Sequence, residues 1–284
     1  MALYSQLAEV SYPDPVLVLC LDGWIDAGLG AAAALATIIN GRESERVAIW
    51  DADEVIDHRA RRPVLHLADG VATAITWPEV ELRAMLDDRG QGFLVLMGPE
   101  PDMKWHAFCR SVVELATACS VRQAVGIGAF PAPVPHTRPV RLVATAPTAT
   151  AAAEVGFVPG KIDVPAGAQA VLEHELNRAG ISSVGLWARV PHYVVSMPYP
   201  AASAALIDGL GSVGGLALPS AELHEAATRT RARIDELIAA SDEHRVMVSQ
   251  LESQVDSVEG IDRLPSGDEI AAELERFLRG DAGQ

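Results

Sequence analysis

The chain has 284 residues, 49% of them apolar and 21% charged, which is enough apolar material for a sizeable core and argues against a wholly disordered chain. Its formal net charge of −16 opposes phosphate backbones and anionic lipid heads, so nucleic acid and membrane surfaces are not expected as partners. No uncharged apolar run of about 18 residues occurs, and no basic segment precedes an apolar run at the start, so neither a transmembrane helix nor a signal peptide is expected and the location expected is cytoplasmic.

Taken in chain order, apolar runs of strand length alternate with helix-length segments. Pro15 to Leu21 is a continuous apolar run, as in a strand buried on both faces. Asp22 to Gly28 follows as a turn. Leu29 to Ile39 is Ala-rich and apolar all round, which predicts a buried helix ended by Asn40-Gly41. Arg46 to Trp50 is a short strand. Val64 to Leu67 and Val71 to Thr76 flank Asp69-Gly70, a hairpin signal. Phe93 to Met97 is a buried strand running into Gly98-Pro99-Glu100-Pro101-Asp102, where Asp102 can cap a helix. That helix carries Trp105, Phe108, Val112, Leu115 and Cys119 on one face. Ala124 to Gly128 is the next strand, followed by a proline-dense loop through Pro139. Val140 to Thr145 reads as a strand, Ala166 to Ala179 as a helix, Ser183 to Val190 as a strand and Pro200 to Leu210 as a short helix.

From Ser220 onward the pattern is helical only. Leu223, Ala227, Ile234, Leu237 and Ile238 form one apolar stripe, and Val248, Leu251, Val255 and Val258 another. Ser266 with Glu269 is a capping box for a last helix ended by Gly280. Residues 220–284 carry 15 acidic and 7 basic side chains, a net of −8 and half of the total. The expected organisation is an α/β core domain over 1–219 with a largely parallel sheet, and a helical extension over 220–284. The extension either packs back on the body, which is the expectation, or offers its stripes to a partner. Cys20, Cys109 and Cys119 are an odd set with no Cys-x-x-Cys pair and read as reduced thiols.

The polar residues gather at predicted strand ends. The strand at 15–21 leads to Asp22, Trp24 and Asp26, and that at 93–97 to Glu100 and Asp102. The strand at 124–128 leads to His136, Thr137 and Arg138, and that at 183–190 to His192 and Tyr193. If these strands are parallel, all four loops open on the edge where open α/β sheets bind ligands. Pro131, Pro133, Pro135 and Pro139 stiffen one of the loops, so Arg138 is held ready to grip a carboxylate bidentately. Asp22, Asp26, Glu100 and Asp102 are candidate partners, and Arg138 then either serves a binding surface or only locks loops together. Asp26 reads most simply as the cap of the next helix, since neither a dinucleotide fingerprint nor a P-loop Lys accompanies Gly23 and Gly28. His136 and His192 lack Cys or His neighbours at metal spacing, and no nucleophile elbow is present. No catalytic residue, metal or cofactor is expected.

The runs Gly23-Trp24-Ile25-Asp26-Ala27-Gly28, Gly98-Pro99-Glu100-Pro101-Asp102 with Trp105, Pro135-His136-Thr137-Arg138-Pro139 and Val190-Pro191-His192-Tyr193 resemble the family named after the second proteasome assembly chaperone. Leu264-Pro265-Ser266-Gly267-Asp268-Glu269 is similar to its actinobacterial branch. The resemblance implies a three-layer α/β/α sandwich like that of nucleoside phosphorylases and peptidyl hydrolases, with a C-terminal helical appendage. It also implies a homo-oligomer, dimer or trimer, and proteasome α subunits as partners. The function it implies is non-catalytic protein binding in assembly, a small-molecule binder or enzyme using the strand-end cleft being the alternative. Ring-docking chaperones end in a hydrophobic residue, a tyrosine and one more residue. This sequence ends Asp281-Ala282-Gly283-Gln284, so docking by that route is not expected.

Overall fold

The computed structural model describes residues 3–262. The predicted last helix, the 264–269 motif and the final four residues lie outside the described residues. Elements in chain order are β1 (Tyr4–Gln6), β2 (Val16–Asp22), α1 (Gly30–Ile39), β3 (Ser44–Trp50), α2 (Ala52–Val55), β4 (Val64–Ala68), β5 (Val71–Thr76), β6 (Glu81–Leu86) and β7 (Gly92–Pro99). They continue with α3 (Trp105–Ala118), β8 (Gln123–Ala132), β9 (Leu142–Thr145), α4 (Ala149–Val155), α5 (Ala168–Arg178), β10 (Ser182–Pro191), α6 (Pro200–Gly214), α7 (Ala221–Ala239) and α8 (Asp242–Asp262).

Eight strands form one sheet in the order β1-β3-β6-β7-β2-β8-β10-β9. The alternation of apolar residues along β2 shows how it is buried twice. Val16, Val18 and Cys20 face a core built with α1 and α6, while Leu17 and Leu19 face one built with α3 and α5. The result is a three-layer α/β/α sandwich, each helix pair covering one sheet face. Helices α7 and α8 pack back: Ile234 is 1% exposed, and Val248 and Leu251 are buried. Leu237 departs from its predicted stripe and is 64% exposed. The side chain of Val258 lies outside those described.

The sheet is mixed rather than largely parallel. Strand β2 runs parallel to β7 and β8, and β8 runs parallel to β10, but the β1/β3, β3/β6, β6/β7 and β9/β10 pairs are antiparallel. The reason lies in the connection between β6 and β7. It is a short turn, not a crossover helix, and Asp87 pins it by accepting from the backbone N–H groups of Arg89 at 2.9 Å and Gln91 at 2.8 Å. Strand β6 carries Glu81 and Arg83 and no β-branched residue, so it lacks a strand signature. Buried Glu81 is tolerated because Arg83 at 2.6 Å and Arg46 at 2.7 Å neutralise it.

Strand β8 outruns its predicted end and includes Pro131. Strand β2 pairs with β8 only from Val16↔Gln123 to Leu19↔Gly126, so at Pro131 the β2-facing side no longer needs an N–H for the ladder. Strands β4 and β5 pair only with each other and stand clear of the main sheet, exposed along their whole length.

All three thiols are buried, and burial pushes Cys20 up to about 12, Cys109 up to about 11, and Cys119 upward too. The native protein should therefore leave Ellman's reagent uncoloured at pH 8, with three equivalents released only on denaturation. Rapid reaction of even one native thiol would contradict this packing.

Candidate functional site

The parallel strands β2, β7, β8 and β10 bring their C-terminal ends to one edge of the sheet. Of the ten residues singled out there, eight fall into two groups, and Asp102 and His192 stand apart. Asp22, Trp24, Asp26 and Glu100 line a cleft of about 830 Å³. His136, Thr137, Arg138 and Tyr193 instead face α7 and α8. His192 is exposed, with its ring edge-on to Tyr193 at 5.4 Å.

The second group is a clasp built from one tripeptide. The Tyr193 hydroxyl accepts from the His136 backbone N–H at 2.8 Å and lies 2.7 Å from Nδ1. A hydroxyl that accepts there can donate to Nδ1, which assigns the ring proton to Nε2, 3.0 Å from Asp235 of α7. Burial, aided by Glu252 and Asp235, pushes the Tyr193 phenol up to about 12, so it stays neutral and free to donate. Thr137 donates to Glu252 of α8. Arg138 forks onto Asp256 of α8 at 2.8 and 2.7 Å and reaches Glu252 at 3.2 Å. The expected partners of Arg138 in the strand-end loops are thus replaced by a Glu-x-x-x-Asp pair one turn apart on α8. Loss of Arg138 should release that helix. Arg138→Ala should speed backbone amide exchange over residues 242–257 about tenfold or more, leaving the sheet protected. Unchanged exchange there would show that apolar packing alone holds α8.

The first group is held by helix starts. Asp26 accepts from the Ala31 N–H at 2.8 Å and the Ala32 N–H at 3.0 Å, so it caps α1 from outside its first turn, and burial raises its carboxyl from the ordinary range. Glu100 accepts from the Ala168 N–H at 2.9 Å and so caps α5. Asp102 does not cap α3. That helix starts after Lys104, whose φ is 59°, and Asp102 instead accepts from the Asp57 N–H at 2.9 Å and from Arg61 Nε at 3.2 Å. Asp102 thereby holds Arg61 at the cleft's rim, where its guanidinium lies against Gly23.

Several cleft residues escaped the sequence reading. Trp187 donates through Nε1 to the Thr145 hydroxyl at 3.2 Å, and Thr145 donates to Glu173 at 3.0 Å. Gln169, one turn before Glu173 on α5, donates to its other oxygen at 3.2 Å. Thr145, Gln169 and Trp187 line the cleft, and Glu173 stands 5% exposed behind them. Desolvation pushes the Glu173 carboxyl up to about 7, against the pull of its two donors. The readable signal was glycine. Gly126 and Gly185 face each other across β8 and β10, and a Cβ on either would strike this carboxyl. Among the described residues, no three His, Cys, Asp or Glu side chains are placed to hold a metal ion. No described helix is long and apolar enough to cross a membrane.

Comparison with known proteins finds a match to the sequence profile described as the PAC2 family over residues 20–238. A Mycobacterium tuberculosis protein of unknown function is 37% identical over 92% of this chain and 93% of its own, with a TM-score of 0.81. A proteasome-assembly chaperone homologue from Mycobacterium tuberculosis is 30% identical over 83% of this chain and 99% of its own, with a TM-score of 0.76. A PAC2 family protein from Streptomyces avermitilis is 31% identical over 84% of this chain and 99% of its own, with a TM-score of 0.73. A search of curated proteins returns no match.

Proposed function

The chain belongs to the PAC2 family, and on that premise we propose that it is a non-catalytic protein-binding assembly factor, whose partners are further copies of itself and proteasome α subunits. The observation that carries this reading is the hairpin of β4 and β5. Its register pairs Leu65 with Ile75 and Leu67 with Ala72, which places Leu65, Leu67 and Ile75 on one face. These three are 51%, 62% and 53% exposed, and Trp77 follows at 50%. A two-stranded hairpin alone in water is marginal, and a contiguous apolar face on one marks a contact surface. The clasp supports the same reading. The His136 ring is 1% exposed and engaged by Tyr193 and Asp235, which leaves it no approach to a substrate.

The tagged protein should retain α subunits from a native lysate and bind them again when both are purified. Leu65→Asp with Ile75→Asp should cut recovery at least tenfold at an unchanged melting temperature. Recovery of no α subunit, with normal proteasome assembly in a deletion strain, would remove the proteasome from the proposal.

A further inference from the structure

The cleft at the strand ends carries an inference independent of the partner reading. Its volume, about 830 Å³, falls in the range of small-molecule sites, on the order of 300–1,000 Å³. Its walls are apolar and aromatic, with Trp24, Leu35, Phe130, Val143, Phe157 and Trp187 among them. Its charged lining is one-sided: Asp22, Asp26 and Glu100, with no Lys or Arg among the described residues that line it. Arg61 stands at the rim but is paired with Asp102.

Two helix starts open here, and elsewhere such starts hold phosphates or carboxylates. In this protein both are already filled. Asp26 takes the N–H groups of α1, and Glu100 that of α5. An anionic ligand would have to displace a tethered carboxylate and then face the others. The groups left over are acceptors. The Asp22 carboxylate has no hydrogen-bond partner among the described residues, only its backbone carbonyl accepting from the Glu100 N–H, Glu100 uses one oxygen on Ala168, and Gln169, 8% exposed, keeps its amide oxygen unpartnered among them. Unpaired acceptors beside apolar walls suit a ligand that brings its own donors and charge.

We propose that this cleft binds a small ligand with an apolar or aromatic body and a cationic amine. The body lies between Trp24 and Trp187, and the ammonium group meets Asp22 and Glu100.

Calorimetric titration with 4-phenylbutylamine, 4-phenylbutanol and 4-phenylbutyrate tests the charge selection, since the three share a body and differ only at the end group. The amine should bind at least tenfold more tightly than the alcohol, and the acid most weakly. Asp22→Asn with Glu100→Gln should reduce the preference of amine over alcohol to less than threefold, with folding checked by circular dichroism. Ala170→Trp, which fills the cleft, should abolish binding of all three. If that variant does not fold, quenching of tryptophan fluorescence by the amine in the native protein locates the site instead. Equal binding of amine and alcohol, tighter binding of the acid, or no binding of the amine would each overturn the proposal. None of these outcomes bears on the recovery of α subunits.

Discussion

Glu173→Gln should raise the protein's stability above pH 7 and make it less dependent on pH. Burial lifts the Glu173 carboxyl to about 7, from 4.5 for the free side chain. Between those two values the folded protein holds a proton that the unfolded chain has released. Stability therefore falls as pH rises through this window and levels off above about pH 7. A gap of this size corresponds to roughly 3 kcal/mol, lost by pH 8 and fully present below pH 4.5. Glutamine mimics the protonated acid: its amide oxygen accepts from Gln169 and its N–H reaches the Thr145 hydroxyl, the positions the carboxyl oxygens hold now. The difference in melting temperature between variant and parent should be near zero at pH 4.5 and favour the variant by several degrees at pH 8. Taking the difference cancels the titration of the many other acidic groups on this chain. A constant offset at both pH values would show that Glu173 is ionised as readily inside the protein as outside it.

That such a carboxyl went unseen in the sequence shows where reading by pattern ends. Strands β2, β7, β8 and β10 were legible because each carries a short apolar run flanked by turn residues, too short for a helix. The convergence of their loops followed from the parallel pairing alone. Strand β6, through which that half of the sheet becomes antiparallel, was not legible, because Glu81 and Arg83 hide it and Glu81 is neutralised by partners 2 and 35 residues away. The clasp was half legible. The prolines announced a rigid Arg138, but its partners lie 114 and 118 residues on, and local pattern carries no information about which of many acids a guanidinium will find. The cleft's carboxylates were legible as strand-end residues. Its depth was not, since its walls come from segments as far apart in the chain as Leu35, Phe130, Phe157 and Trp187.

Gly126 and Gly185, which seat Glu173 behind the cleft, give the second strong prediction. Gly126→Ala should destabilise the protein by about 2–4 kcal/mol, although alanine suits a strand better than glycine does. The cause is contact alone. The new methyl group would meet Glu173 Oε1 and lie 2.5 Å from Gln169 Nε2, and both side chains are buried on a helix packed against the sheet. Glu173→Ala alone should also destabilise at pH 5, by about 2 kcal/mol, since it leaves Thr145 and Gln169 without their acceptor and opens a void. Combined, the two changes should offset each other, because the methyl group enters the space the carboxyl has left. Denaturant unfolding of the four proteins at pH 5 should give a coupling of about 1–3 kcal/mol. Effects that simply add, within about 0.5 kcal/mol, would mean that the strands part to admit the methyl group and that Glu173 does not rest in a slot made of glycine. The slot matters to the cleft because Gln169, anchored by Glu173, is one of the polar residues that line it. A carboxyl that lost its seat would take that amide with it.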